Sequence, residues 1–190
     1  MTLTEIATKH GTAKVGQGFM PLYEKILEPI RHMDICLLEI GLAEGASLRT
    51  WREYLKRAYI WGLDKVVMCQ VEGCRIAQGD GCDKNVLVKL GIKAEVPFWD
   101  IVIDDASHRA AEQLATFDNL WPKVLPNGWY VIEDLFTLFD PVWNPSGRNI
   151  LDELYSRMGT MMTGQDEIKE IHFYVNGETD GIVFIRKNGR

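Results

Sequence analysis

The chain has 190 residues, 46% of them hydrophobic and 25% charged, with a net charge of −6. That length suits one domain spanning residues 1–190 with a sizeable core, and the composition is that of an ordinary globular protein. The acidic balance argues against a broad nucleic-acid or anionic-membrane surface, no run approaches 18 apolar residues, and Met1 to His10 lacks a signal-peptide core.

In chain order, Thr2 to Lys9 reads as a short capped helix with Thr4 as one candidate N-cap. The loop Gly11 to Gly18 follows, and Leu22, Ile26 and Leu27 predict a helix from Leu22 to Ile30, so residues 1–32 form a helical lead-in. Ile35 to Ile40 is almost wholly apolar, as expected of a central parallel strand covered on both faces. Ser47 to Lys56 carries Leu48, Trp51 and Leu55 on one helical face, and Tyr59 to Leu63 is the second strand. Between Asp64 and Arg75 there is room only for a short turn or a degenerate helix. Cys74 to Ala77 predicts a third strand, Asp83 to Leu90 a helix ended by Gly91, and Ile101 to Ile103 a fourth strand. Ala110 to Leu120 predicts a helix stopped by Pro122, Gly128 to Ile132 a fifth strand, and Asn149 to Met158 a helix. The chain closes with strands from Ile168 to Val175 and Gly181 to Arg186, joined at the turn Asn176-Gly177. Strands alternating with helices indicate a mostly parallel α/β sheet. The last link is too short for a parallel crossover and suits an antiparallel hairpin. Of the four cysteines, Cys36 falls in a strand and none forms a C-x-x-C pair, so reduced thiols in a cytoplasmic protein are expected.

Two regions carry chemistry. Glu39 to Ser47 joins the first strand to its helix. Gly41 and Gly45 there permit a tight turn and let a ligand approach the backbone, although neither the dinucleotide nor the P-loop fingerprint is met. Asp64, ending the second strand, is placed to receive a ribose diol, and Asp80 to bound an adenine pocket. The second region places Asp104, Asp105 and His108 after one apolar run and Glu133 and Asp134 after another. Buried carboxylates without partners are costly, so a positive group is expected among them. Asp104 is assigned to the cofactor side. Asp105, Glu133 and Asp134 offer hard oxygen ligands that suit Mg²⁺, Mn²⁺ or Ca²⁺ better than Zn²⁺. His108 is placed for general-base work, its ordinary pKa lying near neutrality. The plainer alternative makes Asp105 and Ser107 helix caps and Glu133-Asp134 a solvated turn.

Leu38 to Trp51, Gly62 to Asp64, Asp100 to His108 and Val131 to Leu135 together resemble the metal-dependent S-adenosylmethionine O-methyltransferases that tailor macrolide sugars, of the mycinamicin and macrocin type. Thr4 to Ala7, Gly11 to Lys14 and Pro21 to Tyr23 look like that family's lead-in, with Ala13 and Ala106 departing from its usual Asp and Gly. The resemblance implies a Rossmann-like class I methyltransferase fold, with Glu39, Gly41, Ser47 and Asp64 lining the S-adenosylmethionine site. It implies Mg²⁺ (or Mn²⁺) on Asp105, Glu133 and Asp134, and His108 as the base. The acceptor is expected to be a sugar hydroxyl of a small molecule or glycan, with no nucleic-acid or membrane partner and with homo-oligomers left open. Trp129, Phe136, Phe139 and Trp143 are candidates for an aromatic wall around it. A metal-dependent hydrolase using the same acids, or a non-catalytic protein that binds S-adenosylmethionine, are the competing readings.

Overall fold

A computed structural model describes residues 1–94, 98–176 and 180–189. Seven strands form one sheet: β1 (Cys36–Ile40), β2 (Tyr59–Asp64), β3 (Cys74–Gln78), β4 (Trp99–Asp104), β5 (Val124–Ile132), β6 (Ile168–Val175) and β7 (Gly181–Lys187). Their order is β3-β2-β1-β4-β5-β7-β6, and β7 alone runs opposite to the other six. This is the class I methyltransferase outline anticipated from the closing hairpin. Of the turn Asn176-Gly177, Gly177 lies outside the described residues.

Among the described residues six α-helices cover the sheet: α1 (Leu3–His10), α2 (Met20–Leu27), α3 (Ala46–Tyr54), α4 (Lys84–Ala94), α5 (Ala110–Leu120) and α6 (Ile150–Met162). The two-residue period of the strands divides their side chains between two cores. Leu37, Ile101, Ile103, Val131 and Phe184 meet α1 to α3 through residues such as Tyr23, Leu48 and Trp51. Leu38, Val102, Tyr130, Ile132 and Val183 meet α4 to α6 through Leu90, Phe117 and Leu154. Both faces of the central strands are therefore buried, which is why their sequence is almost continuously apolar.

The cap of α1 is Thr2, not Thr4. The Thr2 hydroxyl accepts from the Glu5 amide while the Glu5 carboxylate accepts from the Thr2 amide, a reciprocal capping box. Gly91 does not end α4, which runs on to Ala94; a lone glycine inside a helix costs only about 1 kcal/mol. Residues 65–73 contain turns and no helix, as the shortness of that connection requires.

Candidate active site

Register places the functional residues at one level. Ile40 pairs with Leu63 and Asp104, and Asp104 pairs with Ile132, so Gly41, Asp64, Asp105 and Glu133 lie side by side at the carboxyl edge. The ladder continues past the strands, with Gly41 N donating to Leu63 O at 3.0 Å and Asp105 N to Ile40 O at 2.9 Å. Such an edge is where open α/β sheets bind ligands. A cleft of about 780 Å³ opens there, walled by Gly41, Leu42 and Asp64 on one side and Asp105, His108 and Asp134 on the other.

On the glycine side, Gly41 has φ +85° and Gly45 +77°, conformations that L side chains rarely adopt. A Cβ on Gly41 would lie 1.9 Å from the Asp105 carbonyl oxygen, so the loop after β4, rather than a ligand alone, requires glycine there. Gly45 is held by residues 69–71, where a Cβ would approach Cys69 Sγ at 2.9 Å. Asp64 ties the turn together, accepting from Leu42 N at 2.7 Å and Val66 N at 3.0 Å. Asp80 also faces the cleft, paired with Lys65 at 3.2 Å. Buried Glu39 accepts from Ser47 Oγ at 2.8 Å and Trp51 Nε1 at 3.1 Å, and burial pushes its carboxyl up to about 7.

Sequence reasoning missed the centre of the acid side. Lys14, on a short 3₁₀ turn between α1 and α2, is buried, and its ammonium meets carboxylates from three strand ends. It contacts Asp105 Oδ2, lies 2.7 Å from Glu133 Oε1, and is 3.6 Å from Glu39 Oε1. These acids outweigh the cost of burial and hold the lysine above its usual range. The Tyr23 hydroxyl donates to the same Glu133 Oε1, while the buried Oε2 has no hydrogen-bond partner among the described residues. Burial raises the Glu133 carboxyl despite Lys14. Gln17 donates to Asp134 Oδ1 at 3.3 Å and Asp180 Oδ2 at 2.6 Å.

His108 adopts φ +55° in the loop before α5, and its Nδ1 lies 2.7 Å from Asp134 Oδ2. That contact raises the imidazole pKa and outweighs its partial burial. Burial pushes Asp134 up, but His108 and its other partners hold it at about 2. Donor atoms of Asp105, His108 and Asp134 all lie within 4.8 Å of one another. Neither Asp105 nor Ser107 caps α5. Its N-cap is Arg109, without a side-chain bond, and the Ser107 hydroxyl accepts from Arg109 N at 3.3 Å.

Several expected residues lie off the cleft wall, the buried Glu39, Gly45 and Glu133 among them. Asp104 is buried beneath the cleft, off its wall, where the Tyr130 hydroxyl donates to it at 3.4 Å. Trp129 packs on Phe184 and His172 near the start of its strand pairing, away from the carboxyl edge. Phe136 and Phe139 are exposed and line an apolar groove of about 1040 Å³ with Leu135, Tyr155 and Met158. Trp143 lies under the Arg109 guanidinium at 5.8 Å.

Burial, and then the Asp105 charge, push Asp104 up from 3.8 to about 7. A raised carboxyl pKa gives stability that is present below the unfolded value and lost as pH rises through the folded one. Asp104→Asn is therefore expected to gain on wild type as pH rises, melting relatively higher at about pH 8 than near pH 4. Thermal unfolding at both values measures this, and an unchanged difference would contradict it.

No protein-family model matches the chain. It is 37% identical over 150 residues to the mycinamicin VI 2''-O-methyltransferase of Micromonospora griseorubida, a match covering 73% of this chain and 37% of that protein. The demethylmacrocin O-methyltransferase of Streptomyces fradiae is also 37% identical over 150 residues, with 73% and 38% covered. The chain thus spans well under half the length of these curated relatives. Among solved structures, a methyltransferase of the mycinamycin biosynthetic pathway, in complex with Mg and SAH, superposes with a TM-score of 0.86 at 30% identity. That likeness covers 99% of this chain and 55% of the other. Among the described residues no helix is long and apolar enough to cross a membrane.

Proposed function

Because the chain belongs to the family of the mycinamicin- and macrocin-type sugar O-methyltransferases, we propose that it methylates a hydroxyl of a sugar or glycosylated small molecule. S-adenosylmethionine is the methyl donor and Mg²⁺ (or Mn²⁺) the metal. Residues 1–190 act as one methyltransferase domain, in the cytoplasm, without nucleic acid or membrane. One observation carries the reading: a single cleft has the glycine turn and Asp64 on one wall and Asp105, His108 and Asp134 on the other.

The donor set fits a hard divalent cation. Asp105 and Asp134 would supply oxygens from the cleft wall, their donor atoms within 4.8 Å of each other, and Glu133, outside that close group, would add Oε2, a buried acceptor that nothing in the described chain satisfies. When bound, the cation lowers the pKa of an acceptor hydroxyl beside it. His108 takes the proton. Asp134, with Oδ2 2.7 Å from Nδ1 but outside hydrogen-bond geometry, stabilises the imidazolium that forms, and Nε2 is left for the hydroxyl. Glu39, through Ser47, and Asp64, through Leu42, hold the turn against which the donor lies. Asp104 supports the cofactor side from beneath. Asp80, paired with Lys65, bounds the far end of the cleft.

Calorimetry with S-adenosylmethionine, with and without Mg²⁺, tests the reading together with methyl transfer to glycosylated acceptors. Donor binding and turnover lost in chelator are expected. Absence of donor binding would favour a hydrolase, and binding without turnover in any metal a non-catalytic protein. Asp64→Ala should weaken donor binding by about 1.5–3 kcal/mol, the scale of a lost charged acceptor. The melting temperature checks that its turn survives, and an unchanged Kd would move the donor away from β2.

A further inference from the structure

We propose that Lys14 is a resident counter-ion that keeps the acid cluster assembled before any divalent ion binds and fixes which oxygen of Glu133 is offered to it. The carboxylates of Glu39, Asp105 and Glu133 come from the ends of β1, β4 and β5, which are neighbours in the sheet. Charges of one sign so close in a poorly hydrated interior repel strongly. Lys14 is the shared cation. Among the described residues no other basic group lies within 4.0 Å of Glu39 or Glu133.

The geometry also orients Glu133. Lys14 and Tyr23 both donate to Oε1, so Oε2 is the atom left without a partner. Outer groups that pin one carboxylate oxygen determine the direction of the other and tune metal affinity. Lys14 is thus a positioning residue. Its ammonium is supplied by the chain itself, so the cluster does not depend on a metal to stay folded.

The part of this inference concerning the metal rests on the ligand assignment above, and the experiment separates the two. Wild type and Lys14→Met are melted in chelator and in excess Mg²⁺ at one neutral pH. In chelator the variant is expected to melt roughly 6–20 °C lower, the scale for stranding buried charges in a chain of this size. Mg²⁺ should raise the variant more than wild type. The double variant Lys14→Met/Glu133→Gln, with one negative charge removed, should recover much of the loss even in chelator. A purely packing role for the lysine stem would leave the double variant as low as the single one. Lys14→Met melting within about 2 °C of wild type in chelator would overturn the proposal, as would a double variant without recovery or equally insoluble. Mg²⁺ shifting neither protein would overturn the metal assignment alone, with the chelator comparison still deciding the role of Lys14.

Discussion

His108→Ala is expected to lower kcat about 10²–10⁴-fold, the usual contribution of a positioned base, with little change in metal or donor affinity. His108 stands at φ +55°, a conformation that asparagine tolerates better than alanine, so His108→Asn separates loss of the base from backbone strain. Equal losses in the two variants would assign the effect to proton transfer. A base works when deprotonated, so activity should rise with pH through the His108 pKa, which Asp134 raises. At high pH the hydroxyl ionises without help and His108→Ala should approach the wild-type rate. A variant as fast as wild type near neutrality would leave His108 without a catalytic role.

Gly41→Ala should produce a large loss of stability. The change combines a positive φ, costing about 1–2 kcal/mol for an L residue, with a Cβ driven into the backbone at Asp105. Overpacking against backbone adds about 1–3 kcal/mol. The sum is about 2–5 kcal/mol, or roughly 4–20 °C in Tm. Because the displaced atoms are the Asp105 carbonyl and Ala106 Cα, the variant should also lose divalent-ion affinity, measured by calorimetry at a temperature where it stays folded. Wild-type Tm and metal affinity together would show that the two loops part without cost. Gly41→Val, with a branched Cβ, should be worse on both counts.

Much of the architecture is written locally. Ile35 to Ile40 and Trp99 to Ile103 are legible as strands because a doubly covered sheet demands apolar side chains at consecutive positions. Asp105 and Asp134 are legible as cleft acids because acids past such strands have no place in a core, whereas Glu133 is buried against Lys14 and Tyr23. The buried Lys14 is not. Within Gly11 to Gly18 a single lysine looks like a solvated loop residue, and its partners lie 91 and 119 residues away. No short-range pattern encodes that meeting; register between β1, β4 and β5 creates it. The reason for Gly41 was hidden similarly, because the loop it makes room for arrives from β4. The burial of Asp104 is not legible from its adjacency to Asp105. Alternation along a strand turns it to the face opposite Asp105, where Tyr130 receives it.

The place of β7 also bears on how the chain reaches this state. Residues 181–187 are made after every other strand, yet they lie between β5 and β6. Until they emerge from the ribosome, Trp129 to Ile132 present an open edge that other chains can pair with. Synthesis halted shortly before Gly181 would therefore yield a product carrying every acid of the cleft but an unfinished sheet, prone to aggregate.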